Sequence, residues 1–193
     1  MTASFRNASA AACAAALCFL APGTALAADP QLCAACHGPE GNSSTPANPS
    51  LAAQPAQFVS IQLYQFREGN RKDPQMSPMA EKLSNKEMNE LAAYFSKQKA
   101  AAPSHKTSPE STAAGPKLAQ QLNCVQCHGP ALRGQEHIPR LAGQQYEYLL
   151  AQLRKFKART RGDFDGFMTQ IAQPLSDKDI EILADYAAGL SPQ

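Results

Sequence analysis

Residues 33–42 read CAACHGPEGN, and a close variant, CVQCHGPALRG, returns at residues 124–134. Both copies carry Cys-x-x-Cys-His-Gly, and the sequence that follows each copy repeats as well, about 90 residues apart. Pro49, Leu51, Ala52 and Gln54 match Pro139, Leu141, Ala142 and Gln144. Phe58, Gln62, Leu63 and Phe66 match Tyr148, Gln152, Leu153 and Phe156. Met76, Ala80, Leu83 and Ser84 match Met168, Ala172, Leu175 and Ser176, and Leu91 and Tyr94 match Leu183 and Tyr186. Small length changes fall between these blocks, where loops tolerate them. Order, spacing and chemistry survive together, so the chain is a tandem duplication.

The chain has 193 residues and a formal charge of +2, too weak a field to point to nucleic acid or an anionic membrane. Fifteen prolines, against 11 glycines and no tryptophan, favour short helices joined by rigid turns. Residues 1–28, MTASFRNASAAACAAALCFLAPGTALAA, have a polar start with Arg6, an apolar run and a small-x-small ending at Ala25 and Ala27. This is the pattern of a signal peptide cleaved near Ala27 or Ala28. Its apolar core is shorter than the roughly 20 residues a bilayer span needs. No later segment is apolar enough to cross a membrane, so an exported chain without a transmembrane span is expected. Cys13 and Cys18 fall in the leader, which leaves Cys33, Cys36, Cys124 and Cys127, all within the two motifs.

The expected organisation is a leader (1–28), a first unit (29–98), a linker (99–112) and a second unit (113–193). The stretch 97–117, rich in Ala, Pro, Ser and Lys, has no apolar periodicity before Leu118 and reads as a linker leading into a helix. Units this small usually need a staple beyond their apolar core. QPAQFVSIQLYQFREG and QQYEYLLAQLRKFKAR each place bulky apolar residues about a turn apart. LSNKEMNELAAYFSKQ and LSDKDIEILADYAAGL each open with a capping box, Ser84 with Glu87 and Ser176 with Asp179. Nothing alternates as a strand would, so the fold class is all-α.

Three chemistries compete for Cys-x-x-Cys-His. Structural zinc takes four protein ligands, and each motif supplies three. A thioredoxin-type redox pair belongs on a βαβ framework. Covalent haem attachment uses two thiols and an adjacent imidazole at this spacing, and two copies in an exported helical duplication support it. The reading is therefore Cys33, Cys36, Cys124 and Cys127 as attachment points for two haem c groups, with His37 and His128 as axial ligands.

The other axial position suits a methionine, which raises the reduction potential. The first unit offers Met76, Met79 and Met88, and the second only Met168. Met76 and Met168 stand at equal distance before the Leu-Ser of the last helix, whereas Met79 aligns with Ile171 and Met88 with Ile180. Met76 and Met168 are thus the expected ligands, with Met79 in reserve. His105 lies in the linker and His137 aligns with Ala47, so both read as surface imidazoles. Pro49 and Pro139 follow their histidines closely and could each offer a main-chain carbonyl to the ring N–H.

Taken together, Cys-x-x-Cys-His-Gly, Pro-x-Leu-Ala-x-Gln, an aromatic helix, Met and a final Leu-Ser-capped helix resemble class I cytochrome c. Two such units behind a leader resemble the dihaem cytochrome c4 family. The resemblance implies a periplasmic electron carrier, not an enzyme, that serves respiratory partners such as a terminal oxidase or a quinol-oxidising complex. An alternative is the electron-accepting subunit of a dehydrogenase with a flavin or molybdenum centre, and a remote one is a dihaem peroxidase. Class I units usually carry an N-terminal helix packed on their last helix. The second unit has it in TAAGPKLAQQLNC, but only ADPQL precedes Cys33 after the leader. The last helix of the first unit, with Leu91, Tyr94 and Phe95, is therefore expected to lack a partner. Arg154, Lys155, Lys157, Arg159 and Arg161 form a basic run that suits a helix C-terminus, docking to an acidic redox partner, or neutralisation of a haem propionate.

Overall fold

The computed structural model describes Met1 and residues 28–193, so the expected leader lies, but for its ends, outside the described residues. The first unit contains α1 (Pro30–His37), α2 (Ala56–Arg67), α3 (Met76–Ala80) and α4 (Asn85–Ser96). The second contains α5 (Pro109–Gln121), α6 (Cys124–His128), α7 (Tyr146–Lys157), α8 (Phe167–Ala172) and α9 (Asp177–Gly189). Among the described residues no strand forms, and a single isolated bridge joins Gln135 to Ile138. The fold is all-α, in two tandem units.

Local chemistry sets the helix starts. Asp29 caps α1 by accepting from the Gln31 N–H at 2.9 Å, with Pro30 at the first helical position. Both long C-terminal helices open with complete capping boxes. Ser84 Oγ accepts from Glu87 N while Glu87 accepts from Ser84 N, and Ser176 and Asp179 do the same for α9. In the first unit α4 buries Met88, Leu91, Ala92 and Phe95 toward α2, which contributes Val59 and Phe66. In the second, α9 lies between α5 and α7 and buries Ile180, Leu183, Ala184 and Ala187 beside Ala119, Leu149 and Leu150. A Cβ at Gly115 would lie 2.4 Å from Tyr186 Cβ, so only glycine lets α5 and α9 come this close.

The described residues of the first unit include no counterpart of α5, in line with the sequence, but the exposed face of α4 is not an apolar vacancy. Lys86, the counterpart of Lys178, pairs with Glu90 at 2.7 Å on that face, whereas Lys178 reaches across to Glu110 of α5 at 2.7 Å. Leu91 and Phe95 point inward and are buried, and Tyr94 rests edge-on against Phe95 at 5.1 Å.

The linker is shorter and better anchored than its composition suggests. Helix α5 takes in residues 109–112, because Ser108 caps it, accepting from Ser111 N at 3.2 Å, and Pro109 occupies its first position. The preceding residues carry no regular structure yet are fastened to both units. Asn42 accepts from Ala101 N at 2.8 Å and donates to Lys99 O at 3.1 Å, and Gln193 Nε2 donates to Ala100 O at 3.0 Å. Ser108 N–H and Oγ–H both donate to Asp185 Oδ2, at 3.1 and 2.7 Å, and Thr107 packs against Gly189.

Candidate functional site

Each motif ends a short helix on a buried histidine: His37 closes α1 and His128 closes α6. The next residue turns the chain away at positive φ, 77° at Gly38 and 74° at Gly129, and a Cβ on Gly38 would sit 2.0 Å from Asn42 O. His37 Nδ1 lies 2.8 Å from Pro49 O, and His128 Nδ1 lies 2.9 Å from Pro139 O. A carbonyl can only accept, so Nδ1 carries the proton and Nε2 keeps its lone pair. Burial pushes both imidazoles below their ordinary pKa, against the opposing pull of the proline carbonyls, so both rings are neutral bases.

The cysteines present a matching pattern in both units. Cys33 and Cys124 are half-buried, Cys36 and Cys127 are exposed, and no disulfide joins them. Burial pushes the thiols of Cys33 and Cys124 up, with Asp29 adding to the effect at Cys33. Among the described residues no three His, Cys, Asp or Glu side chains converge as a metal site.

Met76 opens α3 and Met168 is the second residue of α8, and both are partly buried; Met168 packs against the core of its unit. An aspartate steadies each one. Asp73 Oδ1 accepts from Met76 N at 3.0 Å, and Asp163 Oδ2 accepts from Met168 N at 2.6 Å. Sequence reasoning missed both aspartates, although each stands a few residues before its methionine. Met79 is 52 % exposed and Met88 is 2 % exposed within the α2–α4 core. His137 is partly buried and stands in the turn before Pro139. His105 is not a free surface imidazole: it pairs with Asp185 and stacks on Tyr146 at 5.0 Å.

The structure also brings together residues whose contact across the units the sequence did not mark. Arg71 donates to Gln62 Oε1 at 2.6 Å, and across the seam to Tyr148 Oη at 3.1 Å and Gln152 Oε1 at 3.3 Å. Arg161 donates to Gln152 Oε1 at 2.6 Å, and across the seam to Gln62 Oε1 at 3.2 Å. Each guanidinium lies 4.4 Å over a ring of its own unit, Arg71 on Phe66 and Arg161 on Phe156. Neither forms an ion pair among the described residues, and Arg161 Nε is buried without a hydrogen-bond partner. Burial, with the like charge of Arg71, pushes Arg161 down to about 10. Burial alone would raise the Tyr148 phenol, but the two cations outweigh it and pull the phenol down.

The basic run that contains Arg161 does not gather on one face. Arg154 pairs with Glu181 at 3.2 Å, Lys157 donates to the carbonyls of Gln173 and Leu175, and Arg159 reaches Gln173 at 3.3 Å. Lys155 is exposed and Arg161 is drawn into the seam.

A second seam contact is reciprocal. Gln54 Oε1 accepts from Arg140 N at 3.0 Å, and Gln54 Nε2 donates to Arg140 O at 2.9 Å. Gln144 Oε1 accepts from Ser50 N at 2.7 Å, and Gln144 Nε2 donates to Ser50 O at 2.9 Å. Both glutamines are buried, at 3 % and 4 % exposure. The Arg140 side chain also donates to Ala52 O at 2.8 Å, and burial pushes its guanidinium down to about 10.

Comparison with known proteins accounts for both halves. Residues 112–191 match the family model described as cytochrome c, and residues 20–95 match that of cytochrome c oxidase, cbb3-type, subunit III. Cytochrome c4 of Azotobacter vinelandii is 36% identical over 177 residues, which covers 82% of this chain and 84% of the relative. A thiosulfate dehydrogenase electron acceptor of Thiomonas intermedia (strain K12) is 37% identical over 195 residues, covering 92% and 88%. Reduced recombinant cytochrome c4 from Pseudomonas stutzeri superposes with a TM-score of 0.76 at 34% identity, covering 83% of this chain and 94% of that one. With two buried imidazoles, two Cys-x-x-Cys-His turns and this likeness along most of its length, the chain belongs to the dihaem cytochrome c4 family, electron-transfer proteins with two covalently bound haem c groups.

Proposed function

We propose that Cys33 and Cys36 attach one haem and Cys124 and Cys127 the other, in a first unit spanning 29–98 and a second that, with the whole of α5, spans 109–193. His37 and His128 would hold the two irons through Nε2, and Met76 and Met168 would do so through sulfur. The observation that carries this reading is the pair of buried histidines whose Nδ1–H is committed to Pro49 O or Pro139 O. That bond fixes the ring and raises its basicity as a ligand. The iron supplies one-electron chemistry between Fe(III) and Fe(II). Asp73 and Asp163 hold the methionine backbones in register. The two guanidinium groups at the seam, free of carboxylate partners among the described residues, suit the propionates that haem brings.

Spectroelectrochemical titration of the wild type beside Met76→Ala, Met79→Ala and Met168→Ala tests the assignment. The wild type should show two one-electron waves. Met76→Ala and Met168→Ala should each move one wave down by on the order of 0.1 V or more, within the about 0.8 V range that axial ligands command. Met79→Ala should move neither, and a wave that follows Met79 instead of Met76 would reverse the assignment.

The leader supports export to the periplasm, which cell fractionation tests. The physiological role is electron shuttling toward a terminal oxidase. A second reading is favoured by the Thiomonas intermedia relative: acceptance of electrons from a dehydrogenase that oxidises a sulfur compound. Stopped-flow mixing of the oxidised protein with a thiosulfate dehydrogenase and its thiosulfate, which supplies the electrons, separates the two, since only the second reading expects reduction within the enzyme's turnover time.

A further inference from the structure

We infer that Gln54 and Gln144 are positioning residues that set the reduction potential of the opposite unit's haem; this rests on the reading of His37 and His128 as axial ligands. The carbonyl that accepts from His128 belongs to Pro139, and the N–H of the same peptide group belongs to Arg140. That N–H donates to Gln54 of the first unit at 3.0 Å. In mirror fashion, the Pro49 carbonyl accepts from His37, and the Ser50 N–H of the same peptide group donates to Gln144 of the second unit at 2.7 Å. Each histidine is therefore joined, through one peptide group, to a glutamine of the other unit.

A peptide group is a conjugated unit, so what its N–H does alters its oxygen. When the N–H donates, density shifts to the carbonyl oxygen, and hydrogen bonds in series strengthen one another. A stronger acceptor draws harder on the imidazole Nδ1–H and makes Nε2 a more basic ligand. A more basic ligand favours Fe(III) over Fe(II), so the bond lowers the potential; hydrogen bonding beyond the ligand is one of the levers a protein has on its iron. The second arm of each clamp keeps the glutamine from turning: Gln54 Nε2 is held on Arg140 O and Gln144 Nε2 on Ser50 O. Both side chains are buried, so water cannot readily replace the acceptor.

An ordinary interface role would have Gln54 matter equally to both haems, or mainly to its own. The clamp geometry makes the effect crossed. In Gln54→Leu the second unit's wave should rise, with about a threefold change in its oxidised-to-reduced ratio at the old midpoint, or about 28 mV at 59 mV per decade. The first unit's wave should stay in place. Gln144→Leu should do the reverse. Gln54→Glu keeps an acceptor for the Arg140 N–H, so its second wave should lie at or below the wild-type value, and it serves equally if the leucine variant does not fold. In the reduced protein, nuclear magnetic resonance should show faster exchange of the His128 Nδ1 proton in Gln54→Leu, with that of His37 unchanged. Met76→Ala and Met168→Ala assign the waves; if neither moves one, the ligand reading fails, not the clamp. With the waves assigned, a shift confined to the mutated unit, an equal shift of both, or no shift overturns the inference.

Discussion

The two units build the same histidine site on unequal foundations. In the second, α9 is clasped between α5 and α7, and its core runs from Ala119 through Leu149 to Ala188. In the first, α2 is the main helical neighbour of α4 among the described residues, and one matched position differs sharply in size. Phe95 occupies the position of Ala187, and the two backbones make equivalent bonds. Phe95 O accepts from Ala53 N at 3.0 Å, and Ala187 O accepts from Gly143 N at 2.9 Å. The side chains differ: Ala187 stands in a helix flanked by α5, whereas the Phe95 ring packs so close to the loop after α1 that a Cβ on Gly41 would meet it at 2.8 Å. The difference teaches that the histidine site constrains the loops around it more tightly than the helices behind it.

Substitutions can break this comparison. Phe95→Ala should cost roughly 3–5 kcal/mol, the range for losing a buried aromatic ring. Hydrogen exchange should then show α2 and α4 losing protection while α9 keeps it. Gly115→Val should drive α5 off Tyr186 and make the second unit resemble the first, at about 1–3 kcal/mol for overpacking. Urea unfolding read by circular dichroism checks the size, and exchange in α5 and α9 checks the place.

Finer changes sharpen the contrast at the linker and the exposed faces. Ser108→Ala removes the cap of α5, which has no counterpart among the described residues of the first unit, and should cost about 1 kcal/mol in urea unfolding. Its partner Asp185 titrates at about 2 rather than 3.8: burial works to raise it, but the bonds from His105 and Ser108 outweigh that. A depressed carboxylate stabilises the fold above its unfolded pKa and stops doing so as pH falls through its folded one. The stability gap between wild type and Asp185→Asn should therefore be full above about pH 4 and close toward pH 2. A gap that persisted at pH 2 would contradict the latch. Lys86→Ala removes an exposed pair within one helix and should change stability little if at all. Lys178→Ala, whose pair joins two helices, should cost at least as much.

Much of this architecture was legible in the residues. The repeat marked the tandem units, the apolar spacing marked the long helices, and Ser84 and Ser176 marked their starts. All of these are local signals, within one turn of helix or one alignment block. The seam was not legible. Gln54 and Gln144 grip main-chain groups some 90 residues away, and a backbone N–H carries no side-chain signature in sequence. Arg161 looked like one cation of a surface run because charge alone does not reveal burial, and His105 looked like a loose imidazole because its partner lies far along the chain.

The segment between the units has a mechanical consequence. Composition alone would make it a soft tether and the favoured place for a protease to cut. Yet Asn42 and Gln193 fasten Lys99, Ala100 and Ala101, and Asp185 fastens Ser108 and His105. A protease needs several residues of extended, unfastened chain, so cleavage must wait for these ties to open. The halves then behave less like beads on a string than like two plates under one strap, which holds as long as its rivets do.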